Sequence, residues 1–271
     1  MKQPAPLNLL PLYRRPSTHA VLYGLFRVGL LTAFFALTAA ARPVAAADVA
    51  VGVGGNVTFA PYKRYDVQWT PLPVIDLDSE HVYIRGTAAG VKLCNLDFLE
   101  VSVFAAYDAT SFDGADTSDA RLRMLQDRDA SVAAGMEVRL LTPYGMLHAS
   151  AARDMLGNSD GWHGALGYAY SVESGPLELI PTAGVYWADS RHTGYYYGIN
   201  DRESRISGLT AHDPGGVISP YLGLTASYSL TDAWEMFCSA EVVFLGGNIQ
   251  DSPMVGTSRT WSLTAGIMYN F

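Results

Sequence analysis

From residue 48 onward the chain alternates apolar and polar side chains with a two-residue period. In 259–271, Trp261, Leu263, Ala265, Ile267, Tyr269 and Phe271 share one face, and Thr260, Ser262, Thr264, Gly266, Met268 and Asn270 share the other. In 218–230, Ile218, Pro220, Leu222, Leu224, Ala226, Tyr228 and Leu230 oppose Ser219, Tyr221, Gly223, Thr225, Ser227 and Ser229. In 161–173, Trp162, Leu166, Tyr168, Tyr170 and Val172 oppose His163, Gly167, Ser171 and Glu173. Period-two patterning is the mark of a strand with unlike faces. It predicts strands at 48–60, 81–93, 97–110, 130–142, 146–157, 161–173, 176–188, 217–230, 234–246 and 259–271. These exceed the ~5–6 residues of a soluble strand and suffice for the ~9–11 a tilted strand needs to cross a bilayer.

The connections alternate in length. Those at 94–96, 143–145, 174–175 and 231–233 are short, and those at 61–80, 111–129, 189–216 and 247–258 are long; only 158–160 breaks the contrast. Short turns at one end and long loops at the other are the pattern of outer-membrane barrels. The expectation is an all-β, transmembrane, antiparallel up-and-down barrel of about ten strands over 48–271, with both ends on the periplasmic side. Residues 70–77 (TPLPVIDL) are the place where added strand would raise the number to twelve. A secreted β-sandwich tolerates such alternation but does not need so many long strands.

The segment before residue 48 has another character. Residues 28–41 (VGLLTAFFALTAAA) carry no charge and are too short for a membrane-spanning helix of about 20 residues. Basic residues precede this core, and small residues follow it up to Ala47-Asp48, as in a secretory signal. Residues 1–47 are therefore expected to be a cleaved signal peptide. They hold five basic residues (Lys2, Arg14, Arg15, Arg27, Arg42) and no acid, which leaves 48–271 with 13 basic and 26 acidic side chains. So acidic a chain excludes a nucleic-acid partner, for which a basic stripe would supply the affinity. With 49% hydrophobic and 16% charged residues it is not a disordered tail.

Candidate chemistry is sparse. Alternation points Glu100, Glu137, Arg139, Glu178, Glu235 and Glu241 into the barrel, an acid-rich set that fits either hydrogen-bonded packing or a narrow cation-preferring path. Asp189, His192, Asp201, His212 and Asp213 fall in or beside the long fourth loop, where a carboxylate and an imidazole can activate water. His148, Ser150 and Asp154 share a strand face, but alternate residues stand about 6.8 Å apart, too far for direct activation. No nucleophile or carboxylate pair has diagnostic spacing, so no catalytic residue and no cofactor is expected. The six histidines are scattered and no Cys-x-x-Cys occurs, so no metal site is expected either. Cys94, in a turn, and Cys238, on a lipid face, lie on strands too far apart to bridge.

Several segments, taken in order, resemble the MltA-interacting protein/OmpV family of Gram-negative outer-membrane proteins. Residues 52–66 (GVGGNVTFAPYKRYD) resemble the family's opening strand and its Pro-x-Tyr motif, with Lys63 or Arg64 where a glycine is usual. Pro71-Leu72-Pro73 resembles the Pro-rich segment that follows. Tyr195, Tyr196, Tyr197 and Gly198 (YYYGIN to residue 200) resemble the long-loop motif, continued by Gly208-Leu209 and 213–216. Asp251, Ser252 and Pro253, followed by Met254-Val255, resemble the last-loop motif. The resemblance implies an outer-membrane location in a Gram-negative bacterium. It also implies a non-enzymatic scaffold joining a murein lytic transglycosylase to a murein synthase. A small pore or ligand-binding barrel, and an adhesin using loop 189–216, are the alternatives. Outer-membrane lipid is a further partner. The pattern Gly266, Tyr269, Phe271 at the C-terminus resembles the signal read by the outer-membrane assembly machinery.

N-terminal sequencing of the exported protein is expected to return Asp48; a start before Ala41 would overturn the signal-peptide reading.

Overall fold

The computed structural model describes residues 47–271. The expected signal segment lies, but for Ala47, outside the described residues; Asp48 opens the first strand. The elements are β1 (Asp48–Phe59), β2 (Gln68–Asp78), β3 (Val82–Arg85), β4 (Ala88–Asn95), β5 (Leu99–Asp108), β6 (Ser131–Thr142), β7 (Gly145–Asp154), β8 (Trp162–Ala169), β9 (Val172–Ser174), β10 (Leu177–Ala188), α1 (Ser190–Tyr197), α2 (Asp201–Ser207), β11 (Val217–Ser229), β12 (Trp234–Phe244), α3 (Gly247–Gln250) and β13 (Arg259–Asn270).

Apart from β8 and β9, successive strands pair antiparallel, and β13 returns to β1, from Ala50 opposite Asn270 to Phe59 opposite Trp261. β8 and β9 both pair with β10 and form one interrupted stave. The barrel is thus closed with twelve staves, the larger of the two strand numbers expected from the sequence. The difference from ten arises in 61–93. The expected strand 81–93 is a hairpin, β3 and β4, turning at Gly86-Thr87 with Gly86 at φ 59°, a conformation suited to a two-residue turn. The expected loop 61–80 contains β2.

Two prolines explain why β2 is hard to read. Proline has no N–H to give a ladder, so within sheets it sits at edges. Pro71 and Pro73 present their nitrogens to the same edge. Pairing of β2 with β1 is unbroken from Gln68 to Asp78, so that edge faces the other way. There β3 meets β2 only at Asp76, Leu77 and Asp78. The prolines thus occupy the stretch that has no strand to donate to.

The wall has the expected two faces. Val53, Ile75, Leu93, Leu166, Ile218, Leu222, Leu224 and Leu263 are exposed on the outside. Two aromatic girdles bound this band: Phe59, Trp69, Trp162, Phe244 and Trp261 near the long loops, and Phe98, Tyr144, Tyr228, Trp234 and Phe271 near the short turns. In the second girdle Trp234, Tyr269 and Phe271 stack edge to face in series, with centroids 5.2 and 5.0 Å apart, and the Phe271 N–H donates to the Val49 carbonyl at 3.0 Å. Apolar outside and aromatic at both rims is the solution a bilayer selects. Inside, the Phe237 ring lies across Gly266, where an added Cβ would stand 2.6 Å from the ring. Phe237 also packs with Ala50, Val74 and Met268 in a small apolar cluster.

Loop lengths keep their asymmetry except at the two-residue β3–β4 turn, which lies on the long-loop side. The third connection is longer than expected, 155–161. Asp154 organises it by accepting the N–H groups of Leu156 at 2.9 Å, Ser159 at 2.6 Å and Asp160 at 3.0 Å. Cys94 and Cys238 are both free thiols.

The topology makes a mapping prediction. In a background lacking Cys94 and Cys238, Arg202→Cys is expected to react with a membrane-impermeant maleimide on intact cells, and Asp232→Cys only after the outer membrane is breached. The reverse pattern would invert the barrel.

Candidate functional site

The long loops do not splay outward. Segments 60–67, 109–130, 189–216 and 245–258 fold over the mouth as a cap with its own apolar core of Tyr62, Phe112, Leu122, Leu125, Ile199, Leu209 and Met254. The family-like motifs meet here. Tyr62 bridges to Val255, the Lys63 N–H donates to the Met254 carbonyl at 2.9 Å, Tyr62 Oη donates to the Tyr196 carbonyl at 3.3 Å, and Ser252 Oγ to the Tyr197 carbonyl at 2.6 Å. The Pro-x-Tyr, tyrosine-glycine and Ser-Pro motifs are therefore one packing unit. Burial pushes the Tyr62 phenol well above its ordinary pKa, so it acts as a neutral donor.

Local signals shape the fourth loop. Asp189 caps α1 by accepting the N–H groups of Arg191 and His192. Asn200 and Glu203 form a reciprocal capping box on α2, and Gly208 ends it at φ 70°, the left-handed conformation glycine adopts freely. Arg128 ties this loop to 109–130. Its guanidinium donates to the Tyr195 carbonyl at 2.6 Å and pairs with Glu203 at 2.7 Å, both side chains buried.

Beneath the cap is a cavity of about 400 Å³, lined in part by Asp108, His163, Tyr186, His192, Tyr197 and Glu241. Tyr186 donates to Glu241 at 3.0 Å and stacks on Tyr221 with centroids 4.4 Å apart. Asp108, His163 and His192 bring a carboxylate oxygen and two imidazole nitrogens within 4.8 Å of one another. Burial lowers the His192 pKa, with Asp108 opposing.

Below the cavity the interior is filled by paired charges. Arg85 pairs with Glu100 at 2.8 Å and with Asp78 at 2.6 Å, and its guanidinium lies 4.1 Å from the Tyr83 ring centroid. Lys92 pairs with Glu100 at 3.3 Å and contacts Asp78. Arg139 pairs with Glu137 at 3.1 Å. Glu178 accepts from Ser171 at 2.6 Å, and Glu235 is buried. Alternation alone left Arg139 outnumbered; the hairpin adds Arg85 and Lys92 as partners, which a single strand through 81–93 does not reveal.

The other candidates do not converge. His148 Nε2 meets the Tyr221 hydroxyl at 3.3 Å, while the Asp154 carboxylate, at the end of β7, is engaged by the backbone of loop 155–161. His212 Nε2 lies 2.9 Å from the Asn248 carbonyl on the cap, and Asp201 and Asp213 are exposed there. His192 instead joins Asp108 and His163, two residues that spacing did not single out. Both stand at strand ends on the loop side of the barrel, which is the available signal.

A closed barrel, apolar between two aromatic girdles outside and polar within, is an outer-membrane protein. Residues 51–271 match the family described as MltA-interacting protein MipA, and the chain belongs to that family. The MltA-interacting protein of Escherichia coli (strain K12) is 35% identical over 243 residues, 89% of this chain and 98% of that protein. The outer membrane protein OmpV of Vibrio cholerae serotype O1 is 27% identical over 147 residues, 54% of this chain and 57% of that protein. Among solved structures, an outer membrane channel from Pseudomonas putida F1 aligns with a TM-score of 0.43 at 11% identity, covering 85% of this chain and 97% of that one.

Breaking the cap's ion pair tests its role. Arg128→Met leaves the Glu203 carboxylate buried without its partner, a loss of about 3–5 kcal/mol. Loop 189–216 is expected to become sensitive to protease on intact cells, and Arg128→Met with Glu203→Gln, which removes the buried charge but keeps the capping-box acceptor, to recover part of the resistance. Unchanged resistance in the single variant would show that the pair does not hold the cap.

Proposed function

We propose that this barrel is a non-enzymatic scaffold that holds a murein lytic transglycosylase, and with it a murein synthase, at the inner face of the outer membrane. The observation that carries this reading is the 35% identity to an MltA-interacting protein over 98% of that protein's length. The interior supports it. Two of the acids that a cation path would use are engaged by cations of the same wall, Glu100 by Arg85 and Lys92 and Glu137 by Arg139, while Glu178 and Glu241 are held by the hydroxyls of Ser171 and Tyr186. A paired, tightly filled floor suits a docking platform more than a conduit.

The surface available to a periplasmic partner is the rim of short turns. It exposes Glu80, Asp97 and Asp232 with Tyr144 between them around the ring. An acidic rim with a protruding aromatic fits a partner with a basic face, because charge complementarity steers encounter and an aromatic anchors it. The second reading, a ligand-binding barrel, rests on the capped cavity of about 400 Å³, which lies at the opposite end from this rim.

Purified barrel in mild detergent is expected to retain a murein transglycosylase. Asp97→Lys with Asp232→Lys, or replacement of turn 231–233 by a neutral turn, is expected to weaken retention about tenfold or more, as loss of rim charge slows association. No retained murein enzyme would count against the scaffold. Cation-selective conductance in planar bilayers, lowered by Glu241→Gln, would favour the pore.

A further inference from the structure

We propose that Asp108, His163 and His192 form a binding site for a divalent first-row transition metal, with zinc(II) the fitting ion, that staples the cap to the barrel wall. The three residues come from separate elements. Asp108 ends β5, His163 lies at the start of β8, and His192 is in the first turn of α1. Asp108 Oδ2 stands 3.9 Å from His163 Nδ1 and 4.0 Å from His192 Nδ1. These separations are too long for hydrogen bonds. Zinc held at about 2.0–2.1 Å by nitrogen and oxygen places neighbouring tetrahedral ligands about 3.3–3.4 Å apart. Small side-chain rotations therefore bring all three atoms onto one ion.

The polar bookkeeping of the site points the same way. His163 Nδ1 and His192 Nδ1 are both buried and have no hydrogen-bond partner among the described residues. Buried ring nitrogens are normally paired, and two orphans directed at one carboxylate oxygen are what a shared metal satisfies. The carboxylate is already oriented. Its other oxygen, Oδ1, accepts the Thr110 N–H at 3.0 Å and Thr110 Oγ1 at 2.8 Å, leaving Oδ2 towards the histidines. Hydrogen bonds that fix a ligand in this way are the usual support of a metal site.

His192 is held as firmly. Asp189 accepts its N–H at 2.9 Å. Gly161 lets the first turn of α1 close on β8, since a Cβ at that position would stand 2.4 Å from the His192 nitrogen. Two imidazoles and one carboxylate favour zinc and its transition-metal neighbours over calcium or magnesium, which prefer all-oxygen shells. All three residues line the cavity, which leaves a fourth position open to a water ligand. The site joins α1 to β5 and β8 and is independent of whether the rim recruits murein enzymes.

The test uses the mature chain, refolded in detergent without a polyhistidine tag. Zinc is expected to bind with one-to-one stoichiometry in titration calorimetry, and cobalt(II) to give the intense visible bands of four-coordinate geometry. His163→Ala and His192→Ala are each expected to weaken zinc by about a hundredfold or more, because a lost ligand exceeds the 10–100-fold effect of a lost supporting hydrogen bond. His81→Ala, which removes an exposed surface imidazole at the opposite rim, is expected to leave binding unchanged. Zinc should also protect loop 189–216 from protease, and a chelator should remove the protection. Because a buried histidine can be needed for folding, His192→Cys supplies a second readout. It keeps three ligands and is expected to add a thiolate-to-cobalt charge-transfer band absent from the parent protein. No binding by the parent, binding unaffected by loss of both histidines, or no new band in folded His192→Cys would overturn the site.

Discussion

Lipid offers the peptide backbone nothing to hydrogen-bond with, and the rest of this molecule follows from that constraint. An open sheet in a bilayer leaves a row of donors and acceptors without partners at each edge, at several kcal/mol for every group. Closure removes both edges at once. Here it is made by β13 against β1, ten residue pairs deep from Ala50 to Phe59. The same rule explains the prolines of β2. Where the short β3–β4 hairpin leaves the upper edge of β2 without a strand beside it, Pro71 and Pro73 reduce the number of donors left exposed.

Closure turns half of every strand inward, and the interior must then be made self-consistent. At the floor this is done with charge. Arg85 and Lys92 meet Asp78 and Glu100 in one buried group, and Arg139 meets Glu137. In a low-dielectric interior, removing one partner of such a group is far more costly than removing both, so the Asp78–Arg85–Lys92–Glu100 network fixes the register of β2 to β5 against one another. At the mouth the solution is different. There the loops supply apolar side chains enough for a second core, and the barrel is covered by a small folded unit rather than by mobile loops. The cavity between floor and cap is where the two solutions meet.

Legibility followed range. Alternation in 218–230 and 259–271 fixed which side chains face lipid, because strand geometry is set by neighbours two residues away. The capping box of Asn200 and Glu203 and the glycine stop at Gly208 are equally local, but period-two patterning shows 189–216 only as a loop and does not anticipate its helices. The motifs around Tyr62, Tyr195–Gly198 and Ser252 were visible as a family resemblance, but their physical reason was not. They are distant in sequence and become one packing unit only when the staves set their loops over a common mouth. β2 was obscured for a specific reason: two prolines argue against a strand unless the neighbour on one edge is known to be missing.

What the sequence determined by itself was the class of protein. A two-residue period, long strands and alternating loop lengths point to a closed barrel in a membrane, since each is a response to lipid that acts on residues close together in the chain. What only the tertiary structure decided was which inward groups meet. Six scattered histidines carry no spacing signal, yet closure and the fold of the fourth loop bring His163 and His192 to Asp108. The Arg85–Glu100 pair depends in the same way on a hairpin turn at Gly86. Such contacts are set by register around the ring and by loop closure over it, and neither is written in any one stretch of the chain.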